Sequence, residues 1–219
     1  MTDSEGSGYG RNAIVPDEDI RLTHVEAGSP MGELMRRYWQ PVCMSSELAD
    51  LPKHLKILGE ELVAYRDKSG KVGVLGAHCC HRGTSLEYGQ IEAGGIRCCY
   101  HGWLFDETGA CVDQPSEPAG SRFKDKVKIK AYKTEELGGL IFAYMGPEPA
   151  PLLPNWDILT WTNVTRTVNA VEMPCNWLQC QENSCDPVHF EWMHANWSTR
   201  LADKGGDYAP THLELEFEE

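Results

Sequence analysis

The sequence contains no apolar run that approaches the ~20 residues a helix needs to cross a bilayer, so we expect no membrane-spanning segment. Positive charge is scarce: 20 lysines and arginines stand against 33 aspartates and glutamates, which gives a net charge of −13. Because binding to phosphate backbones requires a basic face, this balance argues against a nucleic-acid partner. The polar and acidic first ten residues do not resemble a secretory signal, and we expect a cytoplasmic protein.

Internal repeats and low-complexity stretches are also absent from the sequence, since the 21 glycines and 13 prolines follow no period. The unusual feature is cysteine. Nine cysteines, an odd number without a secretory signal, argue against a disulfide framework. Four of them form the adjacent pairs Cys79-Cys80 and Cys98-Cys99, and each pair stands close to a histidine. This arrangement favours a metal centre over disulfide bonds.

Local patterns predict a short helix followed by a small antiparallel β domain. Residues 30–40 predict an amphipathic helix, with Ser29 as its N-cap and Pro30 at its first position. Two β-rich runs flank the turn at residues 67–70 and predict a hairpin over residues 62–75. Further strands are predicted at residues 91–97, 126–132 and 140–145.

A segment with four prolines, residues 146–154, predicts a linker at a domain boundary. Beyond it, the sequence predicts a strand at 162–173, a helical region at 175–196 and an alternating strand at 212–218. No turn or partner follows this last strand, so we expect the second domain to be incomplete in this sequence. The predicted organisation is a tail at residues 1–29, a first domain at 30–150 and the beginning of a second domain at 151–219.

Two short segments each offer one thiolate and one imidazole. Cys79 and His81 are separated by one residue, and Cys98 and His101 by two. A Cys2His2 set can bind zinc, but structural zinc sites usually place like ligands in pairs. One cysteine and one histidine in each loop are typical of a [2Fe–2S] cluster with two thiolates on one iron and two imidazoles on the other. An alternative register takes its ligands from His78, Cys80, Cys99 and His101.

The spacing Cys79-x-His81-x16-Cys98-x2-His101 resembles the Rieske iron–sulfur motif. The residues that surround it, together with residues 28–41, are similar to ring-hydroxylating and O-demethylating oxygenases of the phthalate 4,5-dioxygenase group. The resemblance assigns the cluster to Cys79, His81, Cys98 and His101.

The same resemblance leaves Cys80 and Cys99 outside the ligand set. We expect them to be small, buried side chains in the cluster loops. We expect no disulfide bond between them.

A second histidine pair, His189 and His194, lies in the predicted helical region. Five residues turn a regular α-helix by 140° net, so joint ligation of a metal by this pair needs a distorted turn. Alone, the pair also fits one solvent-facing and one core histidine. Its context Asn183-x2-Asp186-x2-His189-x4-His194 resembles the mononuclear-iron segment of Rieske oxygenases.

This second resemblance implies that His189 and His194 are two arms of a 2-His-1-carboxylate site for Fe(II). It also implies that Asp186 bridges by hydrogen bonds to a cluster histidine of a neighbouring subunit, for which we favour His101. The alternative for Asp186 is an ordinary helix-capping or surface carboxylate.

The third, carboxylate ligand has no recognisable context in this sequence. The carboxylates after His194 are Asp203, Asp207, Glu214, Glu216, Glu218 and Glu219. We therefore expect residues 1–219 alone to hold the cluster, to hold mononuclear iron weakly or not at all, and to show no turnover. If a third iron is tightly held, Glu182 or Asp207 is the expected ligand.

Taken together, the resemblance implies an α+β protein: an all-β Rieske domain followed by the start of a helix-grip catalytic domain. It implies the terminal oxygenase of a system in which a separate flavin and iron–sulfur reductase delivers electrons from NAD(P)H. The expected substrates are O2 and an aromatic acid, which is hydroxylated or O-demethylated by a homo-oligomer, expected to be a trimer. One alternative is a Rieske-type ferredoxin that only carries electrons, and a third possibility is a zinc-stabilised binding module.

Overall fold

The computed structural model of the chain describes residues 18–203. The chain divides into two compact units, whose described parts are residues 20–170 and residues 171–203 together with 18–19. The strand predicted at 212–218 lies outside the described residues. Within residues 18–203, no helix has the length and apolar character to cross a bilayer.

The larger unit is built mainly of strands. The helices and strands of this unit are α1 (Ile20–Thr23), α2 (Pro30–Met35), β1 (Trp39–Met44), β2 (Lys53–Ile57), β3 (Glu60–Arg66), β4 (Val72–Gly76), β5 (Gln90–Glu92), β6 (Gly95–Arg97), β7 (Leu104–Phe105), β8 (Cys111–Asp113), β9 (Ala131–Leu137), β10 (Leu140–Tyr144) and α3 (Asp157–Thr160). Within residues 20–170, the ten strands form a six-stranded sheet in the order β1-β10-β9-β4-β3-β2 and a four-stranded sheet in the order β5-β6-β7-β8. All paired neighbours are antiparallel.

Helix α2 starts where the sequence predicts and ends early. The Ser29 side chain caps it by accepting the amide of Gly32 at 3.1 Å. The helix stops at Met35 instead of residue 40, so the predicted end is wrong. The reason is long-range pairing, because Trp39 lies opposite Tyr144 in the register of β1 and β10.

Some of the predicted strands are confirmed, and others have different bounds in the structure. The hairpin around residues 67–70 is confirmed by β3 and β4, and the strand at 140–145 by β10. The single strand predicted at 91–97 is instead β5 and β6, joined by a turn at Gly94 with φ +91°. The strand predicted at 126–132 starts only at Ala131. A 3₁₀ turn at Phe123–Lys126 precedes it, and Lys128 forms only an isolated bridge with Ala110.

The proline-rich segment 146–154 has no regular secondary structure, but it is anchored to the larger unit. The indole Nε1 of Trp39 donates to the carbonyl of Pro151 at 3.0 Å. Leu153 packs against the cluster of Trp39, Phe142 and Tyr144. The segment therefore packs against β1 and β10. The predicted domain division at 150/151 stays a prediction.

The strand predicted at 162–173 is wrong, since these residues form no strand. Arg166 in this stretch donates instead to the carbonyls of Leu159 and Trp161. The helical region predicted at 175–196 is confirmed and is divided into several pieces. These are α4 (Trp177–Cys185), α5 (Pro187–His189), a π-helix (Phe190–Asn196) and, beyond the predicted end, α6 (Trp197–Ala202).

Strand β3 is buried on both faces, which explains its unbroken apolar run. Val63 and Tyr65 belong to a cluster that joins residues of both sheets, whereas Leu62 and Ala64 belong to a second cluster on the other face. Full burial of each large side chain contributes about 1.5–3 kcal/mol. The first cluster also contains Cys79, Cys98 and Trp103. The core of the larger unit thus fixes the two loops that carry the predicted cluster ligands.

Candidate metal centres

The two loops that carry the predicted cluster ligands share one backbone pattern. In each loop, the amide of the cysteine donates to the carbonyl of the residue five positions after it. The amide of the glycine four positions after the cysteine donates back to the cysteine carbonyl. These hydrogen bonds are 2.9–3.0 Å long. The cysteines are Cys79 and Cys98, and the glycines are Gly83 and Gly102. The loops are therefore turns of the same size, although the histidine stands at the second position after the cysteine in one and at the third in the other.

These two glycines adopt a conformation that disfavours side chains, with φ +72° at Gly83 and +73° at Gly102. A Cβ at Gly83 would meet open space, whereas one at Gly102 would lie 3.2 Å from Pro115. We expect Gly83→Ala to lower the free energy of unfolding by roughly 1 kcal/mol and Gly102→Ala by roughly 2 kcal/mol. Urea unfolding followed by fluorescence measures both free energies. Equal losses would mean that Pro115 does not obstruct a Cβ at Gly102.

Cys79 and Cys98 are directed into the core, with 2% and 3% of their surface exposed. Burial raises the pKa of the Cys79 thiol to about 12. A metal must therefore displace a firmly held proton before it binds this sulfur. The position fits a ligand that is shielded from solvent.

His81, two residues after Cys79, has a ring nitrogen whose hydrogen-bonding capacity is not satisfied. Its Nδ1 is buried and has no hydrogen-bond partner among the described residues. The ring stacks on Trp103 with centroids 4.5 Å apart and planes 5° from parallel, and its centroid lies 4.5 Å from that of His101. Burial, with help from the charges of His101 and Arg82, lowers the pKa of His81 and so favours its neutral form. A neutral imidazole with an orphaned nitrogen fits a metal ligand.

The three residues that belong only to the alternative register are directed elsewhere. His78 Nδ1 donates to the carbonyl of Gly83 at 3.1 Å. Cys80 and Cys99 are exposed, so the expectation that they are buried is wrong. Each follows a cysteine that faces the core, and the turn carries the next side chain out to solvent. Both are free cysteines in the structure.

Arg97 holds the second loop, a role that sequence reasoning missed. Its guanidinium donates to both carboxylate oxygens of Glu92, at 2.6 and 2.9 Å, and to Asp113 at 2.8 Å. It also donates to the carbonyl of Gly102. The bidentate pair lowers the pKa of Glu92 and raises that of Arg97. The available signal was an arginine directly before Cys98.

The second histidine pair spans the junction of α5 and the π-helix: His189 is the last residue of α5, and His194 lies within the π-helix. In a π-helix the hydrogen bonds run between residues five apart, so residues i and i+5 lie one turn apart. The ring centroids of His189 and His194 are accordingly 5.1 Å apart. The distorted turn that joint ligation requires is therefore present.

Asp186 ends α4 and caps α5. Its Oδ1 accepts the amides of Val188 at 2.9 Å and His189 at 3.3 Å, so the helix-capping alternative is realised. The side chain remains exposed. The Asp186 carbonyl accepts a hydrogen bond from Nδ1 of His189 at 2.7 Å. Because a carbonyl only accepts, this bond places the proton on Nδ1 and leaves the lone pair on Nε2.

In the part of the chain that the structure describes, no three His, Cys, Asp or Glu side chains form a group for a single metal ion. Glu182 on α4 is exposed and belongs to no such group. Asp207 lies outside the described residues.

Comparison with known proteins extends these observations. Residues 38–133 match the model of the Rieske [2Fe-2S] domain, which confirms the predicted all-β Rieske domain. The chain is 50% identical over 207 residues to the 5,5'-dehydrodivanillate O-demethylase oxygenase subunit of a Sphingobium species, covering 93% of this chain and 49% of that protein. It is 41% identical over 189 residues to the phthalate 4,5-dioxygenase oxygenase subunit of Pseudomonas putida, covering 84% and 43%.

Among solved structures, dicamba monooxygenase with non-heme iron and dicamba aligns with a TM-score of 0.50 at 28% identity, covering 56% of this chain and 38% of that chain. The chain spans about half the length of the curated relatives it matches. The likeness to the O-demethylase subunit extends well beyond the Rieske domain itself.

Proposed function

Because the chain has a Rieske [2Fe-2S] domain and is similar to Rieske oxygenase subunits over most of its length, we propose that it acts in a terminal oxygenase. One observation carries the proposal beyond a simple electron carrier: a π-helix pairs His189 with His194 in the same chain as the cluster loops. A ferredoxin that only carries electrons needs the two cluster loops but not this histidine pair. The reaction is an O2-dependent hydroxylation or O-demethylation of an aromatic acid.

The cluster ligands are Cys79, His81, Cys98 and His101. Burial of both cysteines in the core and the orphaned Nδ1 of His81 support this set. The exposure of Cys80 and Cys99 argues against the alternative register. Trp103 fixes the plane of the His81 ring, and Arg97 fixes the backbone of the second loop.

His189 and His194 hold a mononuclear Fe(II) through their side chains. The hydrogen bond from Nδ1 of His189 to the Asp186 carbonyl orients the ring and supports ligation through Nε2. A carboxylate from another part of the protein completes the site. When bound, the cluster supplies single-electron transfer and the mononuclear iron supplies the site of O2 activation.

Asp186 serves two purposes in this proposal. Its Oδ1 caps α5 and so holds His189 in place. The exposed carboxylate also accepts a hydrogen bond from His101 of a neighbouring subunit, so electrons cross between subunits of a homo-oligomer, which we take to be a trimer. This arrangement requires an assembled protein for turnover.

The electrons originate from NAD(P)H and arrive through a separate flavin and iron–sulfur reductase. The names of the relatives support aromatic acids as the substrate class, since they include an O-demethylase acting on dehydrodivanillate and a phthalate dioxygenase.

Asp186→Asn tests the bridge between subunits. Asparagine keeps a side-chain oxygen that can cap α5 but removes the negative charge. We expect the spectrum of the reduced cluster to be unchanged and its reoxidation by O2 and substrate in the assembled, iron-loaded oxygenase to slow by about 10–100-fold. Stopped-flow absorbance of the prereduced protein measures this rate.

Asp186→Ala is the matched control, because it loses both the charge and the cap. We expect it to show the same slowing and, in addition, a loss of about 1 kcal/mol in the stability of the helix start. Wild-type reoxidation in Asp186→Asn would refute the bridge. Wild-type turnover after replacing His189 or His194 by alanine would refute the assignment of these two histidines as ligands of the mononuclear iron.

A further inference from the structure

The start of α4 brings two cysteines together. Asn176 is the N-cap, and its side-chain oxygen accepts the amide of Gln179 at 3.2 Å. In a capped helix, the residue before the cap and the fourth helical residue lie side by side, and both are commonly hydrophobic. Here these two positions hold Cys175 and Cys180, five residues apart.

The two sulfur atoms are already in contact. Sγ of Cys175 lies 3.6 Å from Sγ of Cys180, and both side chains are exposed. A disulfide bond requires the sulfurs to approach by about 1.5 Å more. Access to solvent allows a small oxidant to reach them. Neither residue has a role in the proposed metal centres.

We propose that Cys175 and Cys180 form a reversible disulfide by exchange with a low-molecular-weight disulfide such as oxidised glutathione. The closed bond joins the residue before the cap to the first full turn of α4. It therefore acts as a covalent clamp on the helix start, formed and released according to the thiol–disulfide ratio of the surroundings.

The exchange proceeds in two balanced steps. The Cys180 thiolate attacks one sulfur of the small disulfide, which forms a mixed disulfide and releases one small thiolate. Cys175 then loses its proton and attacks the Cys180 sulfur, which closes the protein disulfide and releases the second small thiolate. Two protein thiols are oxidised, one small disulfide is reduced to two thiols, and these take up the two protons.

The hydrogen bond between the sulfurs supports this order of attack. Either sulfur can be the donor in this bond. Because the bond raises the pKa of the Cys175 thiol, a thiolate forms less readily there, and we assign the first attack to Cys180.

Cys185 provides a matched control in the same helix. It is also exposed, and its Sγ accepts a hydrogen bond from Gln181 Nε2 at 3.1 Å. Cys180 and Cys185 are both helical and five residues apart, so they lie 140° apart around α4. The 140° separation does not apply to Cys175, because it precedes the N-cap and lies outside the helix.

The test is peptide mapping of the purified chain equilibrated with oxidised or reduced glutathione. Free thiols are blocked with iodoacetamide, and the protein is cleaved after glutamate. This cleavage yields the peptide Met173–Glu182, which contains Cys175 and Cys180 and separates them from Cys185. We expect the oxidised sample to give this peptide unlabelled and lighter by two hydrogens, and dithiothreitol to restore two labels.

Three variants and a denatured control make the result specific. Cys175→Ser and Cys180→Ser should abolish the closed peptide, and Cys185→Ser should retain it. At one glutathione ratio, the closed fraction should be larger in the folded chain than in urea, because the helix start positions the sulfurs. Full labelling of the wild type in oxidised buffer, equal closure in urea, or loss of closure in Cys185→Ser would overturn the proposal.

Discussion

Replacing Cys79 or Cys98 by serine is expected to abolish cluster binding, with the loss of about two irons and two sulfides per chain. Each thiolate is buried in the core, and a serine oxygen is a much poorer ligand for iron in an iron–sulfur centre. Visible absorption together with iron and sulfide analysis of the anaerobically purified protein measures the loss.

The neighbouring cysteines supply a matched pair of controls. Cys80→Ser and Cys99→Ser change the same atoms one position along the same loops, but their side chains face solvent. Both variants should keep the full complement of iron and sulfide. Loss of the cluster from Cys80→Ser, with retention in Cys79→Ser, would mean that the alternative register is correct.

Replacing His101 by cysteine is expected to keep a cluster and to lower its reduction potential strongly. A thiolate adds a negative charge where a neutral imidazole stood, and this favours the oxidised state. All-cysteine clusters lie several hundred millivolts below Rieske centres, so one replacement should lower the potential by on the order of 100 mV or more. A dye-mediated redox titration measures the shift.

Tyr100→Phe is the control for this variant. The Tyr100 ring lies 3.9 Å from the His101 ring and is 63% exposed, so phenylalanine preserves the contact and changes no charge. Its potential should remain close to that of the wild type. An unchanged potential in His101→Cys would show that this side chain does not ligate the cluster.

Much of the site follows from local sequence. The spacing of Cys79, His81, Cys98 and His101 identifies the two loops, and each loop closes through hydrogen bonds among its own residues. The five-residue interval between His189 and His194 excludes joint ligation from a regular helix, and the π-helix provides the distortion that joint ligation needs. Spacing succeeds here because short-range geometry decides the outcome.

Where the prediction of helices and strands failed, pairing with distant residues decided the outcome. Helix α2 ends early because Trp39 pairs with Tyr144, a partner that no local window contains. The β-branched composition of residues 162–173 suggested a strand, but composition does not supply a neighbouring strand. Cysteine's usual preference for burial misplaced Cys80 and Cys99, because the shape of the loop sets the direction of each side chain.

We expect one chain to hold a [2Fe–2S] cluster through two cysteines and two histidines. The most direct test is the electron paramagnetic resonance spectrum of the reduced, purified protein, recorded with its iron and sulfide content. Mixed ligation predicts the low average g-value of a Rieske centre, with about two irons and two sulfides per chain. A spectrum like that of an all-cysteine ferredoxin, or zinc in place of iron, would contradict it.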